Sequence, residues 1–321
     1  MEKSKLTKDF MANCAIKEAI NKDNFIQFEV RGKVKSINLK LLAAHRNTPI
    51  LIKGETEVEH TIDDNWSENI KLSLNNEIKS FTIYGDVIGF DCFECHLTKL
   101  DVSENKILEI LKCSLNELGS LDISKNINIR HLQCDANSLF ELDVTNNINL
   151  ENLSCEGNHL NKLDLSKCKN LMSLFCSINH LEEIDISNNI NLRLLYMSDN
   201  EVSEIDLSNN PNLIVFECIN NNISTLDFSK NTKIERVDCC GNDLSMEAAE
   251  ELLKSLPKKS IFDKSEIAIL TIKKKNLESR KKDLYKLNKL GKIKNWKVFY
   301  AKDDLEDDEF MIFPGVVAKK A

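Results

Sequence analysis

Leu150-Glu-Asn-Leu-Ser-Cys155-Glu-Gly-Asn158-His-Leu160-Asn-Lys-Leu-Asp164-Leu-Ser-Lys-Cys168-Lys-Asn170 is one line of a text that recurs every 21 residues. Set in lines of that length, residues 97 to 244 fill their columns. One column reads Leu97, Leu118, Leu139, Leu160, Leu181, Val202, Ile223, Leu244. Another reads Cys113, Cys134, Cys155, Cys176, Met197, Cys218, Cys239, and a third is Asn from Asn116 to Asn242 without a gap. A fourth runs from Asp101 to Asp227. A fixed period of about 20–50 residues with no insertion marks a solenoid or repeat array. A single repeat cannot bury its own apolar face, so stability comes from the interfaces between neighbours. Leu, Ile and Val point inward, with Cys as a small hydrophobe. The Asn column forms a ladder in which each side-chain amide bonds the buried turn backbone.

Each line fits L-x-x-L-D-L-S-x-N-x-x-L-x-x-L-x-C-x-x-N-x. Leu150-Glu-Asn-Leu-Ser-Cys-Glu-Gly-Asn158 and Ile205-Asp-Leu-Ser-Asn-Asn210 carry a resemblance to the bacterial leucine-rich-repeat proteins with a 21-residue unit, over about half the chain. The resemblance implies an α/β repeat solenoid: a curved leucine-rich-repeat array of stacked parallel strands that binds other proteins. In such repeats the strand is x-L-x-L-x, here x-L-x-C-x, and its x positions face outward on the concave side. The other half-repeat, Leu-x-x-Leu-Asp-Leu-Ser-x-Asn, fits the same template. The Cys half is preferred because its Asn column is complete, whereas the other has Cys168 in place of Asn.

Four segments follow from this frame. Residues 1–24 read as an N-terminal helix. Residues 25–80 read as a small antiparallel β domain, from short period-two runs punctuated by Gly32, Pro49 and Gly54. Its structural task is to cap the first repeat, whose edge is otherwise unpaired. Residues 81–244 hold one degenerate and seven regular repeats. Residues 245–321 read as an α/β C-terminal cap: a helix capped by Ser245 and ended by Pro257, a strand Ile267–Ile272, a basic helix Leu277–Leu290 stopped by Gly291, a strand Trp296–Tyr300, then the acidic run 303–309 and an apolar and basic tail.

The outward x positions form three columns. In the later repeats they gather Phe175, Leu194, Tyr196, Val215 and Ile219, rimmed by Glu217, Arg236 and Asp238. Neighbouring strands bring Phe175 beside Tyr196. An apolar cluster with a polar rim has the make-up of a protein-binding hot spot. The alternative occupant of this face is the protein's own C-terminal segment or a dimer mate. A rival reading places nucleic acid on the basic C-terminal helix, through Lys281, Lys282, Lys286 and Lys289. Against it, residues 97 to 244 carry 23 acidic and 12 basic residues and repel a long duplex.

Other motifs dissolve into the repeat. Cys92-Phe-Glu-Cys95-His96 has the form of a haem-attachment sequence, but Cys92 stands 21 residues before Cys113, Cys95 stands 21 before Asn116, and His96 shares a column with His159 and His180. The Asp column suggests a calcium ladder, but it recurs beside a Ser/Thr column as a solvated face. Carboxylates stacked about 5 Å apart are expected to raise one another's pKa, an effect that solvent, the Ser hydroxyls and the flanking Lys162 can relieve. No Ser-His-Asp set, phosphate loop or zinc spacing appears, so a cofactor-free, non-enzymatic chain is expected. The N-terminus lacks a signal-peptide core, and no run approaches the about 18 apolar residues of a membrane helix. Eleven cysteines, seven of them in the ladder, fit a reducing compartment, so a cytoplasmic location is expected.

Overall fold

The structure is a computed structural model that describes residues 19–31, 34–54, 56–74, 79–260, 266–272, 277–302, 309–312 and 316–319, with backbone alone for 266–281 and from 300 onward. The chain falls into two units, Met1–Leu150 and Glu151–Ala321. Residues 1–18 of the expected N-terminal helix 1–24 lie outside the described residues, as does most of the acidic run 303–309.

The first unit opens with β1 (Phe25–Val30), β2 (Ser36–Ala43), β3 (Thr48–Lys53), β4 (Glu57–Ile62), β5 (Ile70–Ser73), β6 (Lys79–Tyr84), β7 (Val87–Asp91) and β8 (Leu97–Asp101). Strict alternation sends Ile26, Phe28 and Val30 of β1 inward. One antiparallel sheet has the order β4-β3-β6-β1-β8. The other joins β5, β2 and β7. Phe28 bridges the sheets, with its ring centroid 5.3 Å from Phe81 and 5.9 Å from Phe90. On its far side β7 pairs in parallel with β9 (Ile110–Lys112), Phe90 against Leu111, and β9 pairs with β10 (His131–Gln133). One strand thus closes the small antiparallel domain and starts the repeat ladder. Gly89 makes room there: a Cβ on it would meet the Trp66 ring at 3.0 Å. Lys112 lies 5.0 Å from the same ring.

The second unit stacks β11 (Asn152–Ser154), β12 (Ser173–Phe175), β13 (Leu194–Tyr196), β14 (Val215–Glu217) and β15 (Arg236–Asp238) in parallel. The Cys half of each repeat supplies these strands. The Asp half runs as turns, except at β8, where Leu97–Asp101 pairs with β1 instead. After β15 the 21-residue period stops but the ladder continues. Strands β16 (Glu266–Ile272) and β17 (Lys297–Lys302) pair on in parallel, with Val237 against Ile267 and Ile267 against Val298. Strands β18 (Glu309–Ile312) and β19 (Val316–Lys319) then turn antiparallel. Helix α1 (Met246–Ser255) is capped by the Ser245 hydroxyl, which accepts from Ala248 N. Helix α2 (Leu277–Lys294) runs through Gly291 instead of stopping there. Gly291 serves packing: a Cβ would collide with Val298 of β17. The helix ends at Asn295, whose φ is 61°.

Inside the repeats the expected amide ladder is present. Asn179 Oδ1 accepts from Leu160 N at 3.0 Å, and its Nδ2 donates to Cys155 O at 3.0 Å and Cys176 O at 3.1 Å. Asn200, Asn221 and Asn242 repeat the pattern, as does Asn116 in the first unit. A second ladder lies in the Asp half. Asn189, Asn210 and Asn231 donate to the turn carbonyls one repeat back, as Asn126 and Asn147 do in the first unit. Their Oδ1 atoms accept nothing from the protein, so this column uses the amide only as a donor. The ten described cysteines are buried and unbridged.

The two asparagine files should respond differently to substitution. Asn179→Ala strands the buried Leu160 N–H and removes one of the two amide donors at each of Cys155 O and Cys176 O, which keep Asn158 and Asn200, and should cost about 1–3 kcal/mol in urea unfolding. Asn189→Cys, copying what Cys168 does naturally, should cost about 1 kcal/mol or less. A smaller cost for Asn179→Ala than for Asn189→Cys would refute the ladder argument. Ile178 follows the strand in the left-handed region, with φ 56°, where a β-branched residue is strained. Ile178→Asn should therefore raise stability by about 1 kcal/mol, seen as a higher urea midpoint at unchanged slope.

Candidate functional site

The strand face of the second unit is built by register. Leu174, Leu195, Phe216 and Val237 point inward, none more than 1% exposed. Their neighbours on either side point out. Phe175, Tyr196, Glu217 and Asp238 stand opposite one another on successive strands, as do Ser173, Leu194, Val215 and Arg236. The Phe175 and Tyr196 rings stack, with centroids 4.9 Å apart and planes 12° from parallel. Both rings, with Leu194, Val215 and Ile219, are half-buried. The structure therefore brings together all five apolar residues of the sequence cluster.

Glu217 borders the stack and is held from two sides. Ser198 Oγ donates to Glu217 Oε1 at 3.3 Å and accepts from Ile219 N at 3.0 Å. Arg236 Nη2 lies 3.7 Å from Glu217 Oε2. The expected rim position of Asp238 is corrected: it is only 6% exposed. Burial pushes its carboxyl up to about 6, and the Glu217 charge adds to the push. The backbone N–H of Cys240 and the Arg236 guanidinium pull the other way without reversing it. The third outward column is corrected as well. The spacing runs it through Ser177, Ser198, Ile219 and Cys240, but Ser177, Ser198 and Cys240 are buried, each just before a left-handed residue (Ile178, Asp199, Gly241). Ile219 alone keeps an apolar side chain half-open in that file within the second unit.

Sequence reasoning passed over a second ring pair. His159 and His180 stack with centroids 6.1 Å apart, and His180 Nδ1 lies 3.5 Å from Glu201. Their shared column was the available signal. On the opposite side, Asp164, Glu183, Asp185, Glu204 and Asp206 line an open groove of about 810 Å³. Here the relief expected from the Ser hydroxyls outweighs the expected mutual raising of carboxylate pKa. Asp122, Asp164, Asp185 and Asp206 are all held below their ordinary value. The cause is the Ser two residues on, by hydroxyl first at Asp122, Asp164 and Asp185 and by N–H first at Asp206. Repulsion from the neighbouring Asp is weaker at these exposed positions. Among the described residues no group of three His, Cys, Asp or Glu is placed to hold a metal ion. Burial drives the thiols of Cys92, Cys113, Cys176, Cys218 and Cys239 up, Cys113 to about 12, so these cysteines are poor nucleophiles and metal ligands.

On α2, Lys282, Lys286 and Lys289 are exposed, and the Lys281 side chain lies outside the described residues. Lys286 is bonded to Glu250 of α1. No described helix is long and apolar enough to cross a membrane.

No protein-family model matches the chain. No curated protein matches it. Among solved structures it is similar to the functional domain of InlJ from Listeria monocytogenes, described as including a cysteine ladder, at 21% identity over 59% of this chain and 62% of that one, with a TM-score of 0.35. The leucine-rich-repeat protein LIC12759 of Leptospira interrogans is similar at 22% identity over 50% of this chain and 44% of that one, with a TM-score of 0.47. A chain of the Drosophila Toll–Spatzle complex is similar at 18% identity over 53% of this chain and 28% of that one, with a TM-score of 0.43. The chain thus spans less than two thirds of each matched structure.

The buried carboxyl of Asp238 makes stability depend on pH. Between about pH 4 and 6 the folded chain keeps a proton that the unfolded chain, near its ordinary 3.8, has released. Stability therefore falls as pH rises through this window. Asp238→Asn should remove that loss and stabilise the protein at pH 7 by up to about 3 kcal/mol, the free energy of one proton held across a window about two pH units wide. Urea unfolding should show the gain at pH 7 and little of it near pH 4.

Proposed function

We propose that this chain is a non-enzymatic scaffold that binds another protein through the strand face of its second unit. The Phe175–Tyr196 stack is the observation that supports the reading most. The fold is held by the inward files and the asparagine ladders, and these make no demand on outward positions, where Ser154 and Ser173 serve equally well. Yet at 175, 194, 196 and 215 the chain carries large apolar side chains, half-exposed on short strands, with a fifth at Ile219 just past one of them. Apolar and aromatic anchors bordered by polar groups are where binding energy concentrates. Rigid presentation lowers the entropy lost on association. In a bacterial cytoplasm such a scaffold acts by neutralising or regulating the protein it covers.

The nucleic-acid reading through α2 is the weaker one. Lys286 is engaged with Glu250, which leaves Lys282 and Lys289 of the described patch. These are few beside the several phosphate contacts that hold nucleic acid at physiological salt.

The test is retention of a protein from native lysate, read by mass spectrometry, on wild type and on Phe175→Ala/Tyr196→Ala. A partner held by wild type and lost by the still-folded double variant is the expected result. Equal retention by both would remove the strand face from the function.

A further inference from the structure

We propose that the partner segment taken by this face is cationic: an arginine or lysine flanked by apolar residues, its charge seated between Tyr196 and Glu217. The proposal rests on the protein-binding reading of the same face and adds the chemistry of the occupant. Three observations carry it.

First, the aromatic column is asymmetric. Phe175 covers one face of Tyr196 at 4.9 Å. The register places Glu217 on the next strand, so the face of Tyr196 turned away from Phe175 looks toward a carboxylate. An aromatic face beside a carboxylate attracts a guanidinium or ammonium by ring quadrupole and by charge.

Second, the carboxylate is prearranged. Ser198 Oγ donates to Glu217 Oε1 and fixes the carboxylate, while Arg236 lies 3.7 Å from Oε2 as a cation the ligand must displace. A carboxylate already ordered loses little side-chain entropy when a cation arrives.

Third, the charges on this face do not balance. Glu217 and Asp238 are neighbours on adjoining strands, with Arg236, 3.7 Å from Glu217, as the cation beside them. From 151 to 244 the chain carries 15 acidic and 7 basic residues, so the field around the face also favours a cation. Leu194 and Val215, side by side on the same two strands as Tyr196 and Glu217, provide the apolar seat for the flanking residues. An acidic or neutral segment leaves the Tyr196–Glu217 step unused.

A random linear peptide library displayed on phage, selected on the intact chain, tests this. Clones rich in Arg or Lys beside apolar residues should emerge. A selected peptide should bind about tenfold more weakly to Glu217→Gln, the equivalent of about 1.4 kcal/mol for one charge pair. It should bind several-fold more tightly to Arg236→Met, which removes the competing cation. Asp206→Asn, on the opposite side, should change nothing. Neutral or acidic clones that depend on Phe175 and Tyr196 would overturn the cationic occupant and leave the protein-binding reading standing. So would cationic clones indifferent to both Glu217→Gln and Arg236→Met. Equal weakening by Asp206→Asn would reduce the effect to the overall acidity of the chain and overturn the seat. Absence of any clone that distinguishes wild type from Phe175→Ala/Tyr196→Ala would sink the protein-binding reading itself. Sedimentation closes the remaining case: a wild-type dimer that the double variant converts to monomer would assign the face to a second copy and overturn the proposal.

Discussion

A carboxamide buried in each turn is the constraint on which the rest depends. Every repeat folds its backbone back on itself in the interior, where water cannot satisfy the turn's N–H and C=O groups. Asn179 answers for several at once, accepting from Leu160 N and donating to Cys155 O and Cys176 O. No apolar residue of similar size can do this, and an unpaired buried group costs more than the bond itself gains. The columns reflect that difference. Packing files tolerate exchange, with Met197 among the cysteines and Val202 and Ile223 among the leucines, because volume-conserving apolar swaps cost little. The Asn116-to-Asn242 file tolerates none. The second asparagine file acts only as a donor, and there Cys168 is accepted.

With stability vested in the inward files and the turns, the outward positions of the strands are free of structural duty. That freedom gives the aromatic stack and the Glu217–Arg236 pair their meaning. Asp238 is the exception. It occupies an outward register position but is buried, and its carboxyl is correspondingly reluctant to ionise. Its cost is compatible with a surface adapted to a cation, since a buried carboxyl is least costly when a positive charge stands beside it.

Each unit must also deal with strand edges. In the first, β7 pairs with β2 on one side and β9 on the other, so no repeat edge is left open at that end. In the second, β16 and β17 extend the ladder after the repeat has ended in sequence. An unpaired edge is a template for unwanted association, and both solutions cover the end strands of the repeat with strands of different sequence character.

Periodicity was enough to read the parallel ladder, the inward Leu and Cys files, the first asparagine ladder and the adjacency of Phe175 to Tyr196, because a strict 21-residue repeat turns sequence distance into spatial neighbourhood. It also reduced the Cys92–His96 motif to repeat register. What lay beyond it were features set by the surroundings of a position instead of its place in the period. The burial of Asp238 and Cys240 was one. The balance at Asp122, Asp164, Asp185 and Asp206 was another: repulsion and the serine hydroxyls were both legible, and the bonded geometry decided for the serines. The passage of α2 through Gly291 depended on how closely Val298 approaches it. The choice of β8 to pair with β1 depended on an antiparallel neighbour far away in sequence. A repeat specifies its own interfaces from within. Desolvation, hydrogen-bond partners and close approach belong to whatever packs against it, and only the tertiary structure supplies those.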